Sequence, residues 1–292
     1  MFKILTSCLL GLLSFNLAAQ INVQDEMGTF SIQAPAKRIV VLEFSFVDAL
    51  ASLGVSPIGV ADDGKADNVI PQIKNKIQPW TSVGKRYTPN LEIIAALKPD
   101  MIIADKQSHA SIYAQLKELA PTLMLKSRGE SYQDNLVAVA KIGKALDQEQ
   151  KMTQLIEAHN QRMDDYASKI NSDKTFLFGV ANARGIWLHS PVAYAGGVMT
   201  RLGLKSAIAN ETEKAYISST LENLLKANPD YLLIGEYGEQ TVIDNFTKSP
   251  LWSMISAVKN KNYQPTDPFL WSKNRGMIAA ELMAEELQGM IK

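Results

Sequence analysis

The chain has 292 residues, with 30 basic and 30 acidic side chains, 46% apolar residues and a single cysteine. The balanced charge argues against a basic face for nucleic acid, and the single cysteine excludes a disulfide framework within the chain. The apolar content is enough for one large domain or for two lobes of ordinary size.

The first element is Met-Phe-Lys followed by ILTSCLLGLLSF and then Asn16, Leu17, Ala18 and Ala19. A charged start, a short apolar run and a small-residue exit predict a secretory signal over residues 1–19, cleaved near Ala19 to leave a chain beginning at Gln20. The run is about a dozen residues, short of the roughly 20 needed to cross a bilayer, and no later segment approaches that length, so no membrane span is expected. Cys8 lies inside the run rather than at its end, which argues against an acylated N-terminus. Cleavage removes Lys3 and Cys8, leaving 29 basic against 30 acidic residues and no thiol for catalysis or metal binding.

Short apolar runs then alternate with helical patterns: IVVLE at 39–43, PIGVA at 57–61, MIIAD at 101–105 and TLMLK at 122–126. That alternation predicts parallel α/β packing. The first run leads into SFVDALASLG, a helix that Gly54 closes. From Tyr132 to about Ile170 the pattern is helical and free of proline, predicting one helix more than about 50 Å long that connects two lobes. A second α/β series opens with TFLFGV at 175–180.

An internal repeat supports the two-lobe reading. NLEIIAALKPDMIIAD at 90–105 and TLENLLKANPDYLLIGE at 220–236 share Leu-Glu, then Pro-Asp, then an apolar strand, at the same spacing. A weaker echo pairs LASLGV at 50–55 with MTRLGL at 199–204. Two related halves imply two similar lobes facing a cleft. The predicted organisation is an N-terminal α/β lobe over 20–131, a connecting helix over 132–171 and a C-terminal α/β lobe over 172–292.

These residues resemble the iron-chelate and cobalamin class of periplasmic binding proteins over nearly the whole chain after residue 19. The stretches VQDEMGTFSI, RIVVLEFSFVDALASLGVSPIGVADD, PWTSVGKRYTPNLEIIAALKPDMIIAD and LKSRGESYQDNL are similar to the ferric dicitrate-binding branch of that class. NARGIWLHSPVAYAGG, EYGEQTV and DPFLWSKNRGMIAAE keep the class layout but match the dicitrate pattern less closely. The resemblance implies a class III fold: two Rossmann-like lobes with parallel sheets, joined by one long helix. It also implies a monomeric, non-enzymatic carrier with no cofactor, whose ligand is ferric citrate with the iron held by citrate rather than by protein side chains. The implied partner is an ABC permease dimer with a cytoplasmic ATPase. In that class, glutamates matching Glu92 and Glu222 sit on the outer tips of the lobes and pair with permease arginines.

Ligands of α/β sheets collect beyond the carboxyl ends of parallel strands. Of seven arginines, Arg86, Arg128, Arg184 and Arg275 fall on predicted loops there, and a guanidinium presents paired donors that fit a carboxylate. Tyr87, Trp187, Tyr216 and Trp271 are candidate walls, the alternative being ordinary interface packing, whereas Trp80 reads as structural. His109 and His189 are candidate ligand contacts, and His159, in the connector, is expected to be solvated. Glu43 either ties down the next helix or pairs with a cleft arginine, while Asp62 and Asp63 read as loop formers rather than iron ligands. The local role expected of Glu92 and Glu222 is at helix starts, with Thr88-Pro89 opening one helix and Ser219 to Glu222 spaced as a capping box at the other.

A carrier of haem, cobalamin or a hydroxamate chelate on the same scaffold is the nearest alternative; haem would need axial ligands, for which Tyr87 and His189 are available. An exported α/β enzyme is the alternative of a different class. HExxH, GxSxG, GxGxxG and GxxxxGK[ST] patterns are all missing from the sequence, so metalloprotease, hydrolase and nucleotide readings lack their usual parts.

Overall fold

The computed structural model describes residues 20–170, 172–211 and 213–291; the expected signal segment, 1–19, lies outside the described residues. A hairpin of β1 (Ile21–Asp25) and β2 (Gly28–Ile32) opens the chain. The N-terminal lobe follows as β3 (Ile39–Val41), α1 (Phe44–Leu53), β4 (Gly59–Val60), α2 (Pro71–Lys74), β5 (Thr81–Ser82), the small hairpin β6 (Gly84–Lys85) and β7 (Thr88–Pro89), α3 (Leu91–Leu97), β8 (Met101–Asp105), α4 (Lys106–His109), α5 (Tyr113–Leu119) and β9 (Thr122–Leu125). Its sheet has the order β5-β4-β3-β8-β9 with every pairing parallel. Strands of such a sheet are covered on both faces and so read as unbroken apolar runs; β3, β8 and β9 are buried at every residue.

The long connector is not one helix. The chain forms α6 (Tyr132–Ala145), turns at 146–148, and continues as α7 (Glu149–Lys169). Asp147 takes a left-handed φ of 56° at the turn, and α7 folds back along α6, so that Tyr132 at the start of α6 meets His159 midway along α7 at 2.7 Å. Gly143 permits this approach, since a Cβ there would stand 2.3 Å from Cβ of Met152. The 21 residues of α7 span about 32 Å. His159, expected in solvent, is instead fully buried, with Tyr132 on Nε2 and Glu281 on Nδ1 at 2.6 Å.

The C-terminal lobe runs β10 (Thr175–Asn182), β11 (Gly185–His189), α8 (Tyr194–Arg201), β12 (Lys205–Ser206), β13 (Tyr216–Ser219), α9 (Leu221–Ala227), β14 (Tyr231–Glu236), α10 (Ile243–Phe246), α11 (Ser256–Lys259), β15 (Tyr263–Thr266) and α12 (Met277–Met290). Its sheet is mixed rather than purely parallel. β12, β10, β14 and β15 pair in parallel, but β11 turns straight back from β10 and pairs antiparallel with both β10 and β13. The tight turn at Ala183-Arg184 leaves no room for a crossover helix, which a parallel neighbour would need.

The repeat has a physical content in both lobes. Asn90 caps α3 by accepting from the N–H of Ile93 at 3.0 Å, and Thr220 caps α9 by accepting from Asn223 at 3.3 Å. The capping residues therefore differ from those expected: Thr88-Pro89 lies in β7, and Thr220 rather than Ser219 is the cap. Each Pro-Asp then anchors the neighbouring strand. Asp100 accepts from the N–H groups of Lys37 and Arg38 ahead of β3, at 2.9 and 2.8 Å, and Asp230 accepts from Thr175 at the start of β10, at 2.9 Å.

One apolar core runs through both lobes, from Val23 and Ile39 through Leu136 and Met163 to Phe176, Trp271 and Leu287. The segment ahead of α12 crosses between the lobes. Asn274 bonds to the backbone of Asn68 and Ile70, and Asp48 of α1 accepts from Ile278 and Ala279 at the start of α12.

Candidate functional site

The floor of the cleft between the lobes is a buried charge network. Glu43, directly after β3, is buried, and its Oε2 accepts from Arg86 at 3.1 Å and Arg275 at 3.4 Å. Arg86, in the turn between β6 and β7, also donates from Nε and Nη2 to Asp63 at 3.1 and 3.0 Å. Arg275 donates from Nε to Glu130, in the loop after β9, at 2.9 Å and from Nη2 to Ser127 at 2.8 Å. Burial disfavours the carboxylate of Asp63, but the charge and hydrogen bonds of Arg86 outweigh it and hold its pKa below the usual range. Glu130, fully buried, goes the other way: burial outweighs the attraction of Arg275 and pushes it up to about 8. Of the two roles open to Glu43, pairing with cleft arginines is the one seen; its side chain makes no cap on α1.

Lys273 continues the network from the opposite wall, 3.7 Å from Asp63 and lying over the rings of Tyr237 and Phe269. The floor thus sets Arg86, Arg275 and Lys273 against the carboxylates of Glu43 and Asp63 and the buried acid of Glu130, so most of its positive charge is already matched within the protein.

The cations left for a ligand sit higher. Arg128 is exposed, its guanidinium lies 4.6 Å over the ring of Tyr87, and its side chain bonds to no acceptor among the described residues. Arg184, in the turn between β10 and β11, is likewise exposed, and Lys85 lies on the same wall as Arg128. Tyr87 and Arg128 from one lobe face Trp187, Tyr216 and Tyr237 from the other across a deep part of about 190 Å³ and a wider mouth of about 780 Å³. Aromatic walls with convergent guanidinium groups suit a bulky, flat-sided anion whose surface is carboxylate oxygen.

Of the residues expected at the site, Arg86, Arg128, Arg184, Arg275, Tyr87, Trp187 and Tyr216 line this cleft. Two expected residues do not. Trp271 is fully buried in the core, packed on Phe178 at 5.1 Å with Nε1 donating to Glu286 at 2.6 Å, because the chain there coils inward before α12. His109 is also fully buried: Nδ1 accepts from Asp105 at 3.0 Å and Nε2 reaches the carbonyl of Arg86 at 2.6 Å, so it supports the arginine turn from beneath. His189 ends β11 and does line the cleft. Tyr237 and Lys273 were not anticipated; Tyr237 directly follows the parallel strand β14, so the rule that sites gather at such strand ends points to it. Trp80 and Asp62 are structural, Trp80 donating to Asp62 at 3.1 Å. Among the described residues no group of three or more His, Cys, Asp or Glu is placed to hold a metal ion. Glu92 and Glu222 are exposed, and each lies in the first turn of its helix.

The model of the family described as periplasmic binding protein matches residues 39–268. This chain belongs to that family. It is 41% identical over 266 residues to the Fe(3+) dicitrate-binding periplasmic protein FecB of Escherichia coli (strain K12), covering 90% of this chain and 88% of that protein. It is 37% identical over 267 residues to the Fe(3+)-citrate-binding protein YfmC of Bacillus subtilis (strain 168), covering 91% and 84%. The fold is that of Staphylococcus aureus SirA complexed with staphyloferrin B, with a TM-score of 0.82 at 24% identity, covering 92% of this chain and 97% of that one. The class III architecture is thereby shown, and these periplasmic binding proteins are binding components rather than enzymes.

Proposed function

We propose that the protein is the periplasmic binding component of an ABC importer, that it captures ferric citrate, and that it delivers the chelate to an inner-membrane permease. The observation that carries this reading is the separation of charge in the cleft. The buried arginines are held by Glu43, Asp63 and Glu130, while the side chains of Arg128 and Arg184 bond to no acceptor among the described residues and stand at the mouth between aromatic walls. Such a cleft grips an anion's outer carboxylates without an iron ligand of its own, which fits a metal already enclosed by citrate. The likeness to two ferric citrate-binding relatives supports the same ligand. Export with removal of residues 1–19 and docking of Glu92 and Glu222 on a permease dimer complete the reading; two equivalent anionic points suit a two-subunit partner.

The test is a titration of the purified chain with ferric citrate, citrate, haem, cobalamin and a hydroxamate chelate, followed by tryptophan fluorescence. Trp187 in the cleft makes ferric citrate the expected quencher. Selective quenching by haem or a hydroxamate chelate would overturn the ligand.

A further inference from the structure

His189 is a buried polar group of the cleft that the charge network leaves out. It is 4% exposed and lines the deep part. Its ring is wedged edge-on between Phe178 at 4.7 Å and Tyr216 at 4.8 Å, and it pairs with Tyr216 in the β11–β13 register. Nδ1 is sealed from solvent and has no hydrogen-bond partner among the described residues; Nε2, which also bonds to none of them, is not sealed. Burial, helped by the charge of Arg275, pushes the pKa down to about 3, so the ring is neutral at ordinary pH.

A neutral imidazole carries one N–H. On the sealed nitrogen that N–H would be a buried donor with no acceptor, whereas on Nε2 it opens toward the cleft. The guanidinium groups of the floor are committed to Glu43, Asp63, Glu130, Ser127 and the Ser272 carbonyl. His189 therefore supplies an uncommitted donor, and an uncharged one, at the depth of the cleft.

We propose that His189 is a specificity-determining residue whose neutral Nε2–H donates to one oxygen of the bound chelate. This rests on the ferric citrate reading. The floor then recognises oxygen by a neutral donor, while the mouth recognises charge by Arg128 and Arg184. A chelate presenting an apolar surface at that depth would leave the N–H unpaired and be disfavoured, because sites that lose a buried hydrogen bond discriminate more sharply than sites that merely lose contact area.

The experiment uses gallium citrate as a diamagnetic stand-in and follows the His189 ring nitrogens by 15N NMR, with calorimetry on His189→Phe and His189→Gln. The expected results are a shift of the protonated Nε2 on saturation and no change of protonation between about pH 5.5 and 8. His189→Phe should bind about threefold to tenfold more weakly, as for loss of a neutral hydrogen bond, and His189→Gln, which restores an N–H donor, should recover most of that loss. If the wild-type chain binds gallium citrate but the ring signals do not move, or if Phe and Gln bind alike, the role of His189 is overturned and the ligand stands. If the wild-type chain binds neither gallium nor ferric citrate, both fall.

Discussion

Arg275 donates to Glu130 at 2.9 Å, joining the segment ahead of α12 to the loop after β9 through a bond buried at both ends. The acid is the more strained partner, since Oε2 of Glu130 has no partner among the described residues and burial raises its pKa from an ordinary 4.5 to about 8. With the folded value above the unfolded one, the folded chain holds the extra proton between those limits. Stability from this group is therefore fully present below about 4.5 and declines as pH rises to about 8. Glu130→Gln keeps an acceptor for Arg275 and cannot ionise. Its melting temperature, relative to wild type, should rise between pH 5 and pH 9; a difference that stays flat across that range would show that Glu130 does not titrate.

The arginines of the site should separate by role. Arg128→Ala removes a guanidinium that bonds no acceptor among the described residues, so it should weaken ferric citrate binding by about 1.5–3 kcal/mol, roughly tenfold or more, with little change in melting temperature. Arg86→Ala should lose affinity and also stability, by about 3–5 kcal/mol, because Glu43 and Asp63 are left in the interior without that partner. Arg162→Ala, on α7 and paired with Glu281, should bind as wild type does. Calorimetry and thermal melts on the three variants check this, and equal affinities for all three would refute an arginine-lined binding site.

The turn between α6 and α7 makes a steric prediction. Gly143→Ala would place a Cβ against Met152 and should cost about 1–3 kcal/mol, more than the helix propensity it gains. Gly289→Ala, in α12 with nothing within 4 Å, should be neutral or stabilising by up to about 1 kcal/mol. Denaturant unfolding distinguishes them, and equal midpoints would mean that α6 and α7 do not approach so closely.

Glu92→Ala combined with Glu222→Ala should cripple citrate-dependent iron uptake in cells while leaving chelate affinity and melting temperature nearly unchanged. Both side chains are exposed, and exposed charges act on docking rate and orientation more than on stability. Uptake at the wild-type rate, or a loss accounted for by unfolding, would leave these glutamates only a local role at their helices.

Much of the fold was legible because burial writes itself into sequence: the parallel strands β3, β8 and β9 of the N-terminal lobe lie in apolar runs, whereas the polar edge strand β5 (Thr81–Ser82) gives no such signal, and the repeat around Pro99-Asp100 and Pro229-Asp230 marks equivalent strands in each lobe. The break at 146–148 was not legible, since Asp147 interrupts a pattern that stays helical on both sides and only the contact of Gly143 with Met152 reveals the reversal. Arginine at strand ends found most of the cleft. Composition could not separate a tryptophan facing the cleft, Trp187, from one turned into the core, Trp271, because both follow similar patterns of neighbours. His159 misled for a related reason, since a polar side chain whose hydrogen-bond partners lie far away in sequence looks like a solvated one, and His109 reads as a loop residue open to ligand although the Arg86 turn closes over it.

The segment 274–279 has a consequence for how the molecule comes apart. Asn274, Arg275 and the first turn of α12 are bonded to Asn68, Ile70, Glu130 and Asp48, and the apolar core beneath them is continuous between the lobes. Each lobe has a buried cluster of its own on the far side of its sheet, but the side that faces the connecting helices is shared between the two. Detaching α12 would uncover α1 of the first lobe and α8 of the second at once, so a disturbance of this one helix reaches both halves together.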